Sequence, residues 1–272
     1  MRFLGLGFLS ACATLPAAIL TLDASYEPGL KRNLEAVASD IRDIVRSRFR
    51  DSRPPLDLPI SCRVDLAGPI TQLDDWTHPT RIVIGLTSNG PYYSQFAFQL
   101  AHELGHVMLD PRRTNGDIET FCTALSLEAL DGLTVKWTRK APFPYASAHL
   151  AELRKYRRAF ETDVLSRVPA DVRDAVIAHR WPIVQRYLAS CAKEREQLSQ
   201  AQIRSQRGRD LQALAAMLLL SHSVDWPRLA NLGRCTNPPP SADPFFRLLP
   251  LDPSCAGKSS ALLCRIAHCA VP

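Results

Sequence analysis

Gln99-Leu100-Ala101-His102-Glu103-Leu104-Gly105-His106-Val107-Met108-Leu109 is the stretch on which the reading turns: apolar and small residues interrupted by two histidines four apart, with a glutamate directly after the first. The pattern from about Tyr92 to Leu109 is helical, and residues four apart on a helix share one face. His102 and His106 therefore present two imidazoles side by side, at a spacing that suits a single tetrahedral cation. Glu103 is rotated to the neighbouring face. There it can take a proton from a water on such a cation without binding the cation itself. The alternative is a surface helix with two ordinary histidines and a solvated glutamate. It sits poorly with flanks that carry no charge on either side; such flanks fit a helix buried everywhere except on one functional face. Gly105 in mid-helix costs about 1 kcal/mol relative to alanine. A close contact beneath the histidine face is one reason to keep it, and chance is the other.

Working outward, Arg81 to Thr87 is the best strand pattern in the chain, and Ser88-Asn89-Gly90-Pro91 is a strong turn in which Pro91 is placed to open the helix. Downstream, Asp110-Pro111 stops the helix and Asn115-Gly116 turns the chain. A second helix is expected from about Asp117 to Leu130, closed by Asp131-Gly132. Towards the N-terminus, Leu30, Leu34, Val37, Ile41, Ile44 and Val45 give a helix over Pro28 to Arg50, broken by Arg53-Pro54-Pro55 and Pro59. Ile60 to Leu66 reads as a short strand, and Gly68-Pro69 and Asp74-Asp75 mark turns. From about Ser147 to Leu220 the chain is helix after helix, interrupted at Pro169 and Pro182. No internal repeat is present. The expected fold is α+β and mainly helical: a small N-terminal sheet, a strand–helix–helix unit carrying the motif, and a helical C-terminal part. The expected regions are a signal-like or anchor segment (1–24), a catalytic region (25–145), a helical region (146–225) and a Pro/Cys-rich tail (226–272).

A catalytic metal keeps three protein ligands and one open position. Downstream candidates for the third are Asp110, Asp117, Glu119, Glu128 and His149. Asp110 lies at a helix end and Asp117 reads as a helix N-cap. Glu119 is favoured: it falls in the first turn of the second helix, which the intervening loop allows to fold back against the first. Thr123 and Ser126 or Leu127 would share its face, and Glu128 would point away. A plain carboxylate at a helix N-terminus is the alternative for Glu119.

Gln99 to Leu109, followed by Glu119-Thr-Phe-Cys122-Thr-Ala124-Leu-Ser126-Leu, resembles the gluzincin-type HExxH zinc metallopeptidases. The resemblance is greatest to a largely uncharacterised group of bacterial proteins, often exported, that pair this motif with a glutamate on the next helix. It covers about residues 80 to 165 and includes Pro142-Phe-Pro144-Tyr145 before an arginine-rich helix. It implies a zincin-like fold and one zinc ion held by His102, His106 and Glu119, with Glu103 as general base. The group often has two adjacent glutamates where this chain has Ile118-Glu119. Peptidases of this kind usually add a Tyr or His that donates to the tetrahedral oxyanion, and Tyr145 and His149 are the candidates. His179, His222 and His268 read as structural, and His78 as a loop residue.

The bulk properties fit this picture. Of 272 residues, 46% are apolar and 22% charged, as in an ordinary globular protein. The net charge of +6 comes from 33 basic and 27 acidic residues that alternate along most of the chain, so a one-sided nucleic-acid stripe is not expected. Met1-Arg2 precedes a charge-free apolar run from Phe3 to Leu22, which reads as a secretory signal. Ala11-Cys12-Ala13 and Leu22-Asp23-Ala24 are cleavage contexts, and Leu9-Ser10-Ala11-Cys12 resembles a lipoprotein box. An uncleaved membrane anchor or a cytoplasmic chain is the alternative. Leu211 to Leu220 is too short to span a bilayer. Cys12, Cys62, Cys122, Cys191, Cys235, Cys255, Cys264 and Cys269 are the cysteines. Export would make Cys235, Cys255, Cys264 and Cys269 candidates for two disulfides, while Cys122 reads as a small buried apolar residue.

The expectation is a zinc-dependent peptidase, periplasmic or secreted, acting on a peptide or protein substrate, with the N-terminus as the candidate for any membrane attachment. A catalytically silent metal-binding or envelope interaction protein that retains the fold is the alternative.

Overall fold

The computed structural model describes residues 20–50, 52, 54–112, 114, 116–191, 205–222 and 224–229. The first helix, α1 (Pro28–Phe49), starts where Glu27 folds its carboxylate back onto the N–H groups of Gly29 and Leu30 at 3.0 and 2.9 Å, with Pro28 in the first turn. That capping satisfies donors that have no partner within the helix. Its buried stripe, Leu34, Val37, Ala38, Ile41, Val45 and Phe49, follows helical spacing and forms one wall of the core.

The sheet contains β1 (Leu20–Leu22), β2 (Ile60–Val64), β3 (Ile70–Leu73) and β4 (Ile82–Leu86) in the order β1-β2-β4-β3. β1, β2 and β4 run parallel, with Leu22 opposite Cys62 and Cys62 opposite Ile84. β3 is antiparallel to β4 and forms an edge. The turn between them is organised by Asp74, whose carboxylate accepts from the backbone N–H groups of Thr80 and Arg81 and from the Thr80 hydroxyl. β4 is the expected strand of the motif unit. Ile82, Ile84 and Leu86 are fully buried, as a strand in the middle of a covered sheet requires.

The motif helix, α2 (Tyr93–Leu109), follows β4, and α3 (Gly116–Arg139) lies alongside it. The molecule is thus mixed α+β with a strand–helix–helix unit at its centre. Two expectations need correction. The second helix does not end at Asp131-Gly132 but runs on to Arg139. Gly132 is where α3 passes α1: a Cβ there would meet Ile44 at 3.1 Å. Beyond it, Leu133 and Trp137 continue the buried stripe, and the Trp137 indole N–H donates to Asp40 Oδ2 of α1 at 2.8 Å, with Lys136 Nζ on the other oxygen at 2.7 Å. Burial of these residues outweighs the glycine's poor helix propensity. The apolar N-terminal run also divides differently from its expected boundary. Leu20–Leu22 are a strand of the sheet, and Leu22 is a core residue. Residues 1–19, including Cys12, lie outside the described residues, as do the tail cysteines Cys235, Cys255, Cys264 and Cys269 and also His268.

The helical part continues with a short 3₁₀ turn (Ala146–His149), α4 (Leu150–Leu165), α5 (Ala170–Ile177), α6 (Trp181–Ser190), α7 (Gln206–Leu220) and α8 (Trp226–Leu229). Pro169 immediately precedes α5 and Pro182 sits in the first turn of α6, where a missing N–H costs nothing. α7 joins two cores. Ala216 and Leu219 pack into the main cluster, while Leu211, Leu214 and Leu218 pack with Val172, Val184 and Leu188 of α5 and α6. Arg167 fixes its start by gripping the buried Asp210 with Nε and Nη2 at 2.9 Å each. Among the described residues no helix is long and apolar enough to cross a membrane.

Candidate metal centre

His102 and His106 lie one helical turn apart on α2, with ring centroids 5.1 Å apart. Glu119, in the first turn of α3, reaches both: Oε2 is 3.1 Å from His102 Nε2 and Oε1 is 3.5 Å from His106 Nε2. Donors bound at about 2.0–2.2 Å to one tetrahedral ion stand roughly 3–4 Å apart, and the carboxylate stands within that range of each imidazole. The Thr114 hydroxyl, in the loop between the helices, donates to Glu119 Oε1 at 2.5 Å and orients the carboxylate. Burial alone would push the Glu119 carboxyl up, but His106 and His102 beside it reverse this and hold it well below the usual carboxylate range. Burial likewise favours a neutral His106, while Cys122 and Glu119 outweigh that and hold the imidazole well above its ordinary value.

The other candidates for a third ligand are engaged elsewhere. Asp110 closes α2 with a φ of 125° and accepts two hydrogen bonds from the Arg112 guanidinium, both at 2.8 Å. Glu128 pairs with Arg48 of α1 at 2.7 Å, on the side away from the histidines as expected. Asp117 lies in the first turn of α3. Thr123, Ser126 and Leu127 are buried, in a stretch of α3 that is buried on every side from Thr120 to Leu127.

Glu103 is nearly buried and does not join the His–Glu cluster through hydrogen bonds. Its Oε2 accepts from the Thr71 hydroxyl of β3 at 2.7 Å, and the same hydroxyl lies 3.2 Å from the Glu103 carbonyl oxygen. The carboxylate is thus held between the motif helix and the edge strand. Sequence reasoning missed Thr71, because the four-residue strand that carries it, Ile70-Thr71-Gln72-Leu73, lay unassigned between two turn signals.

Gly105 has a structural reason. A Cβ at this position would stand 2.8 Å from Cys122 Sγ and 3.2 Å from Cys122 Cα, so only glycine lets α3 approach α2 this closely. Cys122, read from sequence as a packing residue, is indeed fully buried in the main core, and it also faces the imidazoles: His102, His106 and Cys122 each bring a donor atom within 4.8 Å of the other two. The two imidazoles and the thiol form a donor set suited to a borderline-soft divalent ion, and the Glu119 carboxylate lies against both imidazoles.

Tyr145 and His149 are not brought to this cluster, which corrects their candidacy as oxyanion donors. His149 stacks edge-on against Tyr93, with centroids 4.7 Å apart, and Asn33 Nδ2 donates to the hydroxyls of both Tyr93 and Tyr145. These residues line a surface cavity of about 460 Å³ at the start of α2. Tyr93 is two and a half turns, roughly 13 Å, from His102 and on the opposite side of the helix. His78 is a loop residue, as expected. His179 follows α5 in a turn with φ 53° and lies against Trp181, and His222 follows α7.

No family model, no curated protein and no solved structure matches this chain.

Proposed function

We propose that this chain is a zinc-dependent peptidase of the gluzincin type, with a zincin-like catalytic unit formed by β3, β4, α2 and α3. The observation that carries the reading is the convergence of His102 Nε2 and His106 Nε2 on the two oxygens of Glu119, with Glu103 beside them but outside that set. His102, His106 and Glu119 would hold one zinc ion. When bound, zinc supplies a lowered water pKa and a polarised substrate carbonyl.

Glu103 is the general base. Its carboxylate takes the proton of the attacking water and returns it to the leaving amine. Thr71 holds one oxygen of that carboxylate and leaves the other to accept the proton. Extended peptide is the substrate class that suits the surroundings. β3 is an edge strand, so its outer backbone groups can pair with an extended chain laid beside Glu103. The charge-free N-terminal run supports export to the periplasm or cell exterior, where a peptidase would meet such substrates.

The deciding experiment combines metal analysis with hydrolysis of a mixed peptide pool. One zinc per chain and peptide cleavage are expected in the native protein. Glu103→Gln should keep the zinc and lose cleavage by about 10²–10⁴-fold, the range of general-base catalysis. His106→Ala should lose both. A Glu103→Gln protein cleaving at the native rate would overturn the mechanism.

A further inference from the structure

Cys122 has no role in the chemistry above, yet it is the fully buried thiol on α3 that faces the histidine pair. It lies one turn beyond Glu119, so the two side chains leave α3 on the same face, and Gly105 opens the space that Sγ occupies beside His106. A cysteine that merely fills core volume has hydrocarbon around its sulfur. This one packs in the apolar core on one side and on the other lies within 4.8 Å of a ring nitrogen of each imidazole.

We propose that Cys122 Sγ is a fourth protein donor to the metal held by His102, His106 and Glu119. The inference rests on the peptidase reading for the metal's presence but concerns a residue that reading does not use. Binding would convert the thiol to a thiolate, with its proton released to the buffer. With Sγ as a fourth protein donor, a reacting water would make the ion five-coordinate, an expansion that catalytic zinc sites undergo. A thiolate would also bias the site towards zinc and cobalt over manganese and magnesium.

The test is cobalt substitution of the full chain, read by absorption spectroscopy with Co²⁺ as the probe. A thiolate ligand gives an intense near-ultraviolet sulfur-to-metal charge-transfer band in addition to the weak visible bands of tetrahedral cobalt. The band should be present in the native protein and absent from Cys122→Ala. The variant should still bind one cobalt per chain, with affinity reduced by at least the roughly 10–100-fold that loss of an outer-shell partner costs. Cys122→Ser, nearly the same size, is the second variant should the alanine protein not fold. Visible bands without the near-ultraviolet band, or a band that persists in both variants, would overturn the proposal and leave the peptidase reading standing. Native protein that binds no cobalt would overturn both.

Discussion

Gly105 of α2 and Cys122 of α3 are in such close contact that any side chain at Gly105 would begin 2.8 Å from the sulfur. This contact sets the distance between the helix that carries both histidines and the helix that carries Glu119. Gly105→Ala should gain about 1 kcal/mol of helix propensity and lose about 1–3 kcal/mol to overpacking. The expected balance is destabilisation, read as a lower urea midpoint, together with weaker metal binding as Glu119 is pushed away. A variant as stable as the native protein with unchanged zinc affinity would show that the helices can separate at no cost.

Thr71 is expected to position the general base. Thr71→Val keeps the shape but withdraws a hydrogen bond from a nearly buried carboxylate. Hydrogen bonds to charged groups contribute about 1.5–3 kcal/mol, which corresponds to a fall of roughly 10–100-fold in kcat. KM and zinc content should change little, and Thr71→Ser should restore most of the rate. Equal loss in the valine and serine variants would assign Thr71 to packing.

Acid should loosen the turn that carries β3. The Thr80 hydroxyl, with the backbone N–H groups around it, lowers the Asp74 pKa from its ordinary value near 3.8 to about 2. A carboxyl with a depressed pKa stabilises the fold above its ordinary value, and the contribution is lost as pH falls through the depressed one. The stability difference between the native protein and Asp74→Asn should therefore be full at pH 5 and vanish towards pH 2. Asp74 is exposed, so the difference should be small. Parallel melting curves across this range would measure it, and a difference independent of pH would contradict the assignment.

The position of β1 constrains any processing of the N-terminus. Leu22 is a core residue, and Leu20 to Leu22 pair in register with Ile60 to Cys62. Cleavage at the Leu22-Asp23-Ala24 context would remove the strand, whereas cleavage near Cys12 would spare it. The N-terminal residue of exported protein, found by mass spectrometry, should lie before Leu20. A chain beginning at Ser25 should lose at least the roughly 1.5–3 kcal/mol that burial of one leucine contributes. If that shorter chain melted at the native temperature, β1 would be dispensable.

The sequence by itself determined what local periodicity controls. An α-helix fixes the relation of residues four apart, so His102 and His106 share a face and Glu103 stands off it wherever the helix goes. The amphipathic run of α1 and the β-branched run of β4 were legible for the same reason, and Glu119 was favoured because its helix could fold back. Only the tertiary structure decided which carboxylate meets the histidines, since Asp110 and Glu128 carry the same charged group as Glu119 and differ from it in their partners, Arg112 and Arg48. It also carried α3 past Gly132, because Trp137 finds Asp40 ninety-seven residues away. It brought Thr71 to Glu103, turned Cys122 towards the histidine pair, and left Tyr145 and His149 beside Tyr93 on the far side of α2. Each of these depends on contacts between distant segments, which are set by how helices and strands bury one another's apolar faces; that register is written in no single stretch of the chain.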